Sequence, residues 1–363
     1  MLNRREFAAA AVAASVSLAV PRRAAAADPS LYDRALVIDM NTAPPVSSAA
    51  GMSKDDLAML RDSGVRICKT TIGGFGSSFT DTVDELAFWS RVIEEHPDAL
   101  LQVRTVADID RAQRERKSGM IFSFEGIAML DGQLDRITLF RNLGVRVMQL
   151  SYNIPSPFGS GVLAKGGLTE LGRAAITRMN ETGVALDLSH ANEETSLAAL
   201  AATTKTPILS HGGCAAVHAH PRNKSDALLK AAAAKGAVLG IYMLPYIAAS
   251  PKQPATDDYL AHMTHALAVM GEDHVGIGTD VGMEPFDTSA ANMAAFQRQL
   301  DERKKAGVSA PEEDRPTYLA DANVPRKLAQ IADGLAKRGV ASRVIEKILG
   351  TNFRRALSEA WGA

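Results

Sequence analysis

Four polar residues close short apolar runs in this chain: Glu125 after IFSF, His190 after ALDLS, His211 after PILS and Asp280 after GIGT. Carboxylates and imidazoles are the side chains that bind metals and move protons near neutral pH. One carboxylate with two imidazoles is a zinc ligand set that leaves a coordination position open, and zinc brings the pKa of a water there towards neutrality. Glu125, His190 and His211 are therefore predicted to hold a metal, with Asp280 as a proton shuttle or a further ligand. Arg222, in HAHPRNKSD, has the geometry to grip a substrate carboxylate with two parallel hydrogen bonds; a surface ion pair is the alternative. The remaining histidines read as structural: His96 at a helix end, His262 and His265 on a helix, His274 at a strand start, His218 and His220 beside Arg222. No Gly-x-Ser-x-Gly elbow, phosphate-cradling glycine motif or Cys-x-x-Cys pair is present.

These residues meet only if the apolar runs are strands whose carboxyl ends share one face. Eight such runs occur, at 35–41, 65–71, 119–125, 145–151, 183–189, 206–211, 236–243 and 274–280. Several are apolar nearly throughout, as strands covered on both sides must be. Amphipathic stretches at 84–95, 168–183 and 224–236 alternate with them, and Thr169 and Asn192 stand where helix caps belong. Alternating strands and helices predict a (β/α)8 barrel with a helical C-terminal tail over 322–362; an open doubly wound sheet is the alternative. The tail is expected against the outer barrel, or else in a dimer contact, and the charged residues 311–315 in an exposed turn. The Gly-, Pro- and Ser-rich loop 151–167 is expected to shape a substrate pocket.

With 40 basic against 41 acidic residues, the charge balance points to neither nucleic acid nor a membrane surface as partner. Arg4-Arg5-Glu6-Phe7, the apolar stretch 8–20 and the small residues 24–27 describe a twin-arginine export signal, with an ordinary Sec signal as the alternative. Cleavage near Ala27 leaves 28–363 as one periplasmic domain with no membrane insertion. The two cysteines, Cys68 and Cys214, make no disulfide framework; Cys68 reads as buried packing.

From about residue 35 to 356 the chain resembles the renal (membrane) dipeptidase-type metallopeptidases of the amidohydrolase superfamily. GLTELGRAAITRMNETGVALDLSHA, PILSHGG, HPRNKSDALL, HVGIGTD and LGTNFRR carry the resemblance, in order. It implies a (β/α)8 fold, a two-zinc site and hydrolysis of dipeptides with a free carboxyl end. It places the bridging carboxylate on Glu125, the second-zinc histidines on His190 and His211, the carboxylate-binding arginine on Arg222 and the catalytic aspartate on Asp280. The family's first-strand Asp-Gly-His-Asn-Asp is here Asp39-Met40-Asn41-Thr42-Ala43, so the first-zinc histidine and aspartate positions hold Asn41 and Ala43. A methyl group cannot coordinate, and a neutral amide is a poor zinc ligand. A slipped register would offer Asp39 instead. Tyr152 stands where the family has a histidine that polarises the scissile carbonyl; a phenol can also donate to an oxyanion. The expectation is a zinc hydrolase of dipeptides or related small amides holding one ion, possibly two. The alternatives are a ligand-binding relative without activity, and an amidase or lactonase acting on a specialised metabolite.

Overall fold

The computed structural model describes residues 29–74 and 76–362; the twin-arginine segment lies outside the described residues. Each of the eight predicted runs contributes one strand: β1 Ile38–Asp39, β2 Ile67–Thr71, β3 Ser118–Phe124, β4 Val145–Gln149, β5 Ala185–Asp187, β6 Leu209–Cys214, β7 Leu239–Ile241 and β8 Val275–Ile277. Neighbours pair in parallel from β1 through β5 and from β6 through β8 back to β1. The ring closes between β5 and β6 at a parallel bridge from Asp187 to Ile208. There the Leu188 N–H donates to the Ile208 carbonyl and the Ile208 N–H to the Leu186 carbonyl. The fold is the predicted (β/α)8 barrel. A short strand the sequence reading missed, Leu100–Gln102, lies beside the start of β3.

The predicted helix starts hold. Thr169 accepts from the Gly172 N–H at the head of helix Glu170–Thr182, and Asn192 accepts from the Thr195 N–H at the head of helix Glu193–Ala202. Each cap satisfies a backbone donor that the first helical turn leaves without a partner.

Side chains alternate along a strand, so Ile67, Lys69 and Thr71 share one face of β2, and Ile121, Ser123 and Glu125 share one face of β3. Ile67, Ile121, Val147, Ala185 and Ile208 meet inside the barrel. Polar residues two positions further on, Lys69, Ser123, Gln149, Asp187 and Ser210, are buried above them. The interior is apolar towards the strand starts and polar towards the strand ends.

Two expectations change. The last helix, Asn352–Trp361, does not lie against the outer wall but closes the floor: Phe353, Ala356 and Leu357 pack onto Ile38, Met40 and Ile67. Its polar side chains tie to strand starts, Asn352 Nδ2 donating to the Val275 carbonyl and Trp361 Nε1 to that of Arg146. β8 carries Gly276 at this contact because a Cβ there would stand 2.4 Å from the Phe353 ring. The expected exposed turn is only partly so: Pro311 and Asp314 face solvent, but the segment 308–315 docks over the barrel mouth and buries Arg315. His220 Nε2 donates to the Pro311 carbonyl, Asn153 Nδ2 to that of Val308 and the buried Arg315 to those of Pro245 and Ala248. Loop and turn carbonyls accept from these side chains, so a charged segment is held against the barrel with Arg315 buried.

Candidate metal centre

His190 and His211 are wholly buried at the heads of β5 and β6, and their Nε2 atoms face each other at 3.0 Å. The far side of each ring fixes its tautomer. Asn153 Nδ2 donates to the Val308 carbonyl, which turns Oδ1 of the same amide towards His190 Nδ1 at 2.8 Å. His190 therefore carries its proton on Nδ1. His211 Nδ1 lies 2.8 Å from Ser210 Oγ, and Ser210 and Ser189 both donate their hydroxyl protons to the Asp187 carboxylate at 2.5 Å. Ser210 can only accept from His211, which is likewise protonated on Nδ1. Burial first, and the charge of Arg222 next, hold both imidazoles well below their ordinary pKa, so both are neutral. Two lone pairs then point at each other, an arrangement that a cation between them relieves.

Glu125, one residue past β3, supplies the third donor. Its Oε2 stands 3.7 Å from His190 Nε2 and its Oε1 4.0 Å from His211 Nε2. Among the described residues, Glu125, His190 and His211 form the one cluster of three converging metal-ligand atoms. Zinc bonds of about 2.0–2.2 Å in tetrahedral geometry give donor separations of this order. The residues fit a divalent ion of the zinc type.

Asn41 and Thr71 hold the Glu125 carboxylate from the side opposite His190. Asn41 Nδ2 donates to Glu125 Oε1 at 2.8 Å and to Asp280 Oδ1 at 2.6 Å, and Thr71 Oγ1 donates to Glu125 Oε1 at 3.0 Å. Asn41 thus bridges two carboxylates and Ala43 offers no donor. Asp39 does not replace them: its carboxylate accepts from Thr279 N–H, Thr279 Oγ1 and Asn41 N–H and takes no part in the cluster.

Asp280 sits just past β8 with its backbone in the left-handed region at φ 58°, a conformation non-glycine residues rarely adopt. Its Oδ2 lies 3.9 Å from His211 Nε2. Burial, then the Glu125 charge, push its carboxyl up to about 8. Arg222 and Lys69 oppose that rise, and a metal ion on Glu125, His190 and His211 favours the carboxylate further.

Arg222 is buried, its Nη1 donating to the Ser189 carbonyl at 2.8 Å while its Nη2 has no protein partner among the described residues. It shares a cavity of about 290 Å³ with His190, Asp280 and Tyr152. This buried guanidinium is no surface ion pair. Tyr152 stacks its ring on His190 at 4.1 Å, and its oxygen accepts from Arg303 at 3.2 Å. Burial pushes the phenol up to about 12, so it stays protonated. On the other side of Tyr152, the loop 151–157 and the segment 126–131 line a cavity of about 390 Å³ with Ile127, Met129, Ile154 and Pro155. Glu125 and Tyr152 border this apolar cavity, and Tyr152 also borders the arginine cavity.

The structure brings together all six residues singled out by sequence. The others stay structural: His218 pairs with Glu312, His262 bonds the Cys214 N–H and the Ile247 carbonyl, and His274 bonds the Ala237 carbonyl. Cys68 and Cys214 are both buried free thiols. Sequence reasoning missed Asn153, Asp187, Thr71 and Lys69. A carboxylate inside the buried run ALDLS was the signal for Asp187; nothing in the spacing marked Asn153.

The family model for membrane dipeptidases (peptidase family M19) matches residues 48–310. A dipeptidase of Claviceps purpurea is 23% identical over 288 residues, 78% of this chain and 60% of the relative. A dipeptidase of Clonostachys rogersoniana is 27% identical over 64% of this chain and 61% of its own length. The chain thus spans about three fifths of these curated relatives. Among solved structures, an amidohydrolase from Pseudomonas aeruginosa superposes with a TM-score of 0.81 at 26% identity, covering 93% of this chain and all of that one. A metallopeptidase from Rhodobacter sphaeroides, liganded with a phosphinate mimic of the dipeptide L-Ala-D-Ala, shares the fold: TM-score 0.71 at 18% identity, over 84% of this chain and 90% of that one.

Proposed function

The chain belongs to the membrane dipeptidase family, peptidase family M19, and on that premise we propose that it hydrolyses dipeptides and related small amides bearing a free carboxylate, using one zinc-type ion. The observation that carries this reading is the opposed, unprotonated Nε2 pair of His190 and His211 beside Glu125. Those three residues hold the ion; when bound, it supplies Lewis acidity that polarises a carbonyl and acidifies water.

The chain's own groups do the rest. Arg222 offers its unpartnered Nη2 to the substrate carboxylate in a buried pocket, where a charge-assisted bond is strong. Binding at that point sets the scissile carbonyl between Tyr152 and Asp280, and position contributes as much as chemistry. Asp280, as the carboxylate, takes the proton from the attacking water and returns it to the leaving amine. Tyr152, a protonated phenol that accepts from Arg303, donates to the oxygen that becomes negative. The apolar cavity by Ile127 and Ile154 takes the side chain on the amino side of the cleaved bond. The Arg4-Arg5 segment supports export to the periplasm as part of the same reading.

Asn41 and Ala43 favour a second reading, a ligand-binding relative that does not turn over. One experiment separates the two. Zinc-loaded protein is offered a dipeptide panel, L-Ala-L-Ala and L-Ala-D-Ala included, with Asp280→Asn in parallel. Hydrolysis by the wild type, lost in Asp280→Asn with zinc still bound, supports the enzyme; binding of dipeptides with no hydrolysis supports the alternative.

A further inference from the structure

Beneath the metal centre, the barrel holds a charge that nothing described so far uses. Lys69 projects from the interior face of β2, two residues before Thr71, and is 0% exposed. Its ammonium donates to Ser123 Oγ at 3.1 Å, two residues before Glu125. Among the described residues no carboxylate lies within ion-pair distance of it, and Ser123 is its one hydrogen-bond partner although an ammonium has three donors. Burying a charge without a close counter-charge costs several kcal/mol, and an aliphatic chain like neighbouring Met40 or Ile121 avoids that penalty. Two residues further along the same strand faces, Thr71 Oγ1 donates to Glu125 Oε1, so the ammonium lies one layer beneath a metal ligand.

We infer that the Lys69 ammonium is a built-in cation of the metal centre, giving the site a net positive charge with a single divalent ion. This inference rests on the one-ion hydrolase reading and deepens it. The carboxylates of Glu125 and Asp280 balance one divalent ion, the buried Lys224 ammonium offsets the Asp187 carboxylate and the substrate carboxylate takes up Arg222. Lys69 therefore adds the positive charge that a developing oxyanion requires. A second ion has no comparable place. The adjoining cavity of about 310 Å³ offers Glu125 and Asp280 as its anionic groups, both already bonded to Asn41, and Ala43 contributes only a methyl group.

The test is Lys69→Met, which keeps the length and removes the charge, with Lys69→Arg as the charge-retaining control. Zinc affinity by competition with a chromophoric chelator, the melting temperature of the metal-free protein and hydrolysis of L-Ala-L-Ala are read together. In Lys69→Met, zinc binds about tenfold tighter because like-charge repulsion is gone. The metal-free protein melts higher, and turnover falls by about a hundredfold or more. Lys69→Arg keeps the wild-type zinc affinity. A merely structural lysine gives the opposite signs, lower melting and weaker zinc. Unchanged or weaker zinc binding in Lys69→Met overturns the assignment of Lys69 alone; no zinc binding by the wild type overturns it together with the hydrolase reading.

Discussion

His190 and His211 present their Nε2 lone pairs to each other at 3.0 Å, and both carry their protons on the opposite nitrogen. The pairing is enforced by atoms far from the contact: the Asn153 amide, clamped by the Val308 carbonyl, and the Ser210 hydroxyl, clamped by Asp187. Groups that orient metal ligands in this way usually govern affinity nearly as strongly as the ligands.

Asn153→Ala is therefore expected to weaken zinc binding by about 10–100-fold with the fold intact, while His190→Ala loses the ion. Zinc per chain after gel filtration, with competition titration, measures both. An Asn153→Ala protein with wild-type affinity would show that the amide does not set the tautomer.

Arg222 has one guanidinium nitrogen bonded to the Ser189 carbonyl and one with no partner. Arg222→Met is expected to raise KM for free dipeptides by about a hundredfold or more with a smaller change in kcat. Dipeptides amidated at the carboxyl end are poor substrates for the wild type, and the substitution leaves them nearly unaffected. Steady-state kinetics on both substrate forms decides the matter.

Acid is expected to destabilise the metal-free protein between about pH 6.5 and pH 4. His220 and His262 are neutral acceptors on Nδ1, for the N–H groups of Arg222 and Cys214, and their Nε2 atoms donate to carbonyls. Burial depresses both to about 4. Their folded pKa lies below the unfolded value near 6.5, so the unfolded chain binds more protons in that window. Each of these two groups lowers stability as the pH drops below about 6.5, with a slope of up to about 1.4 kcal/mol per pH unit. The buried His190 and His211 act in the same sense and the raised Asp39 and Asp280 carboxyls in the opposite one, which leaves two of the four imidazoles to set the net fall. Urea midpoints at pH 7.5, 6 and 5 test it; a midpoint that does not fall is the contrary result.

Phe353 closes the barrel floor from the last helix. Phe353→Ala is expected to destabilise by about 3–5 kcal/mol, because Gly276 opposite has no side chain to move into the space. Chemical denaturation measures it, and a loss under 1 kcal/mol would show that the floor repacks.

Eight apolar runs separated by amphipathic stretches were enough to read the barrel, since strands covered on both sides admit few other arrangements. A parallel ring brings its carboxyl strand ends to one face, so Glu125, His190, His211 and Asp280 could be grouped from 155 residues of separation without any contact being known. Asn41 and Ala43 were legible as poor ligands from their side-chain chemistry alone. What tertiary structure decided is direction. Strand patterns do not say that Asn153 turns its amide to His190, that Asn41 bridges both carboxylates, or that Asp39 points away. Nor do charge and helical period reveal that residues 308–315 cover the mouth and Asn352–Trp361 the floor, because those placements depend on which backbone carbonyls the closed barrel presents at its two ends. Lys69 is the clearest case: in sequence it is one cation in an apolar run, and only closure of the barrel buries it beneath the site.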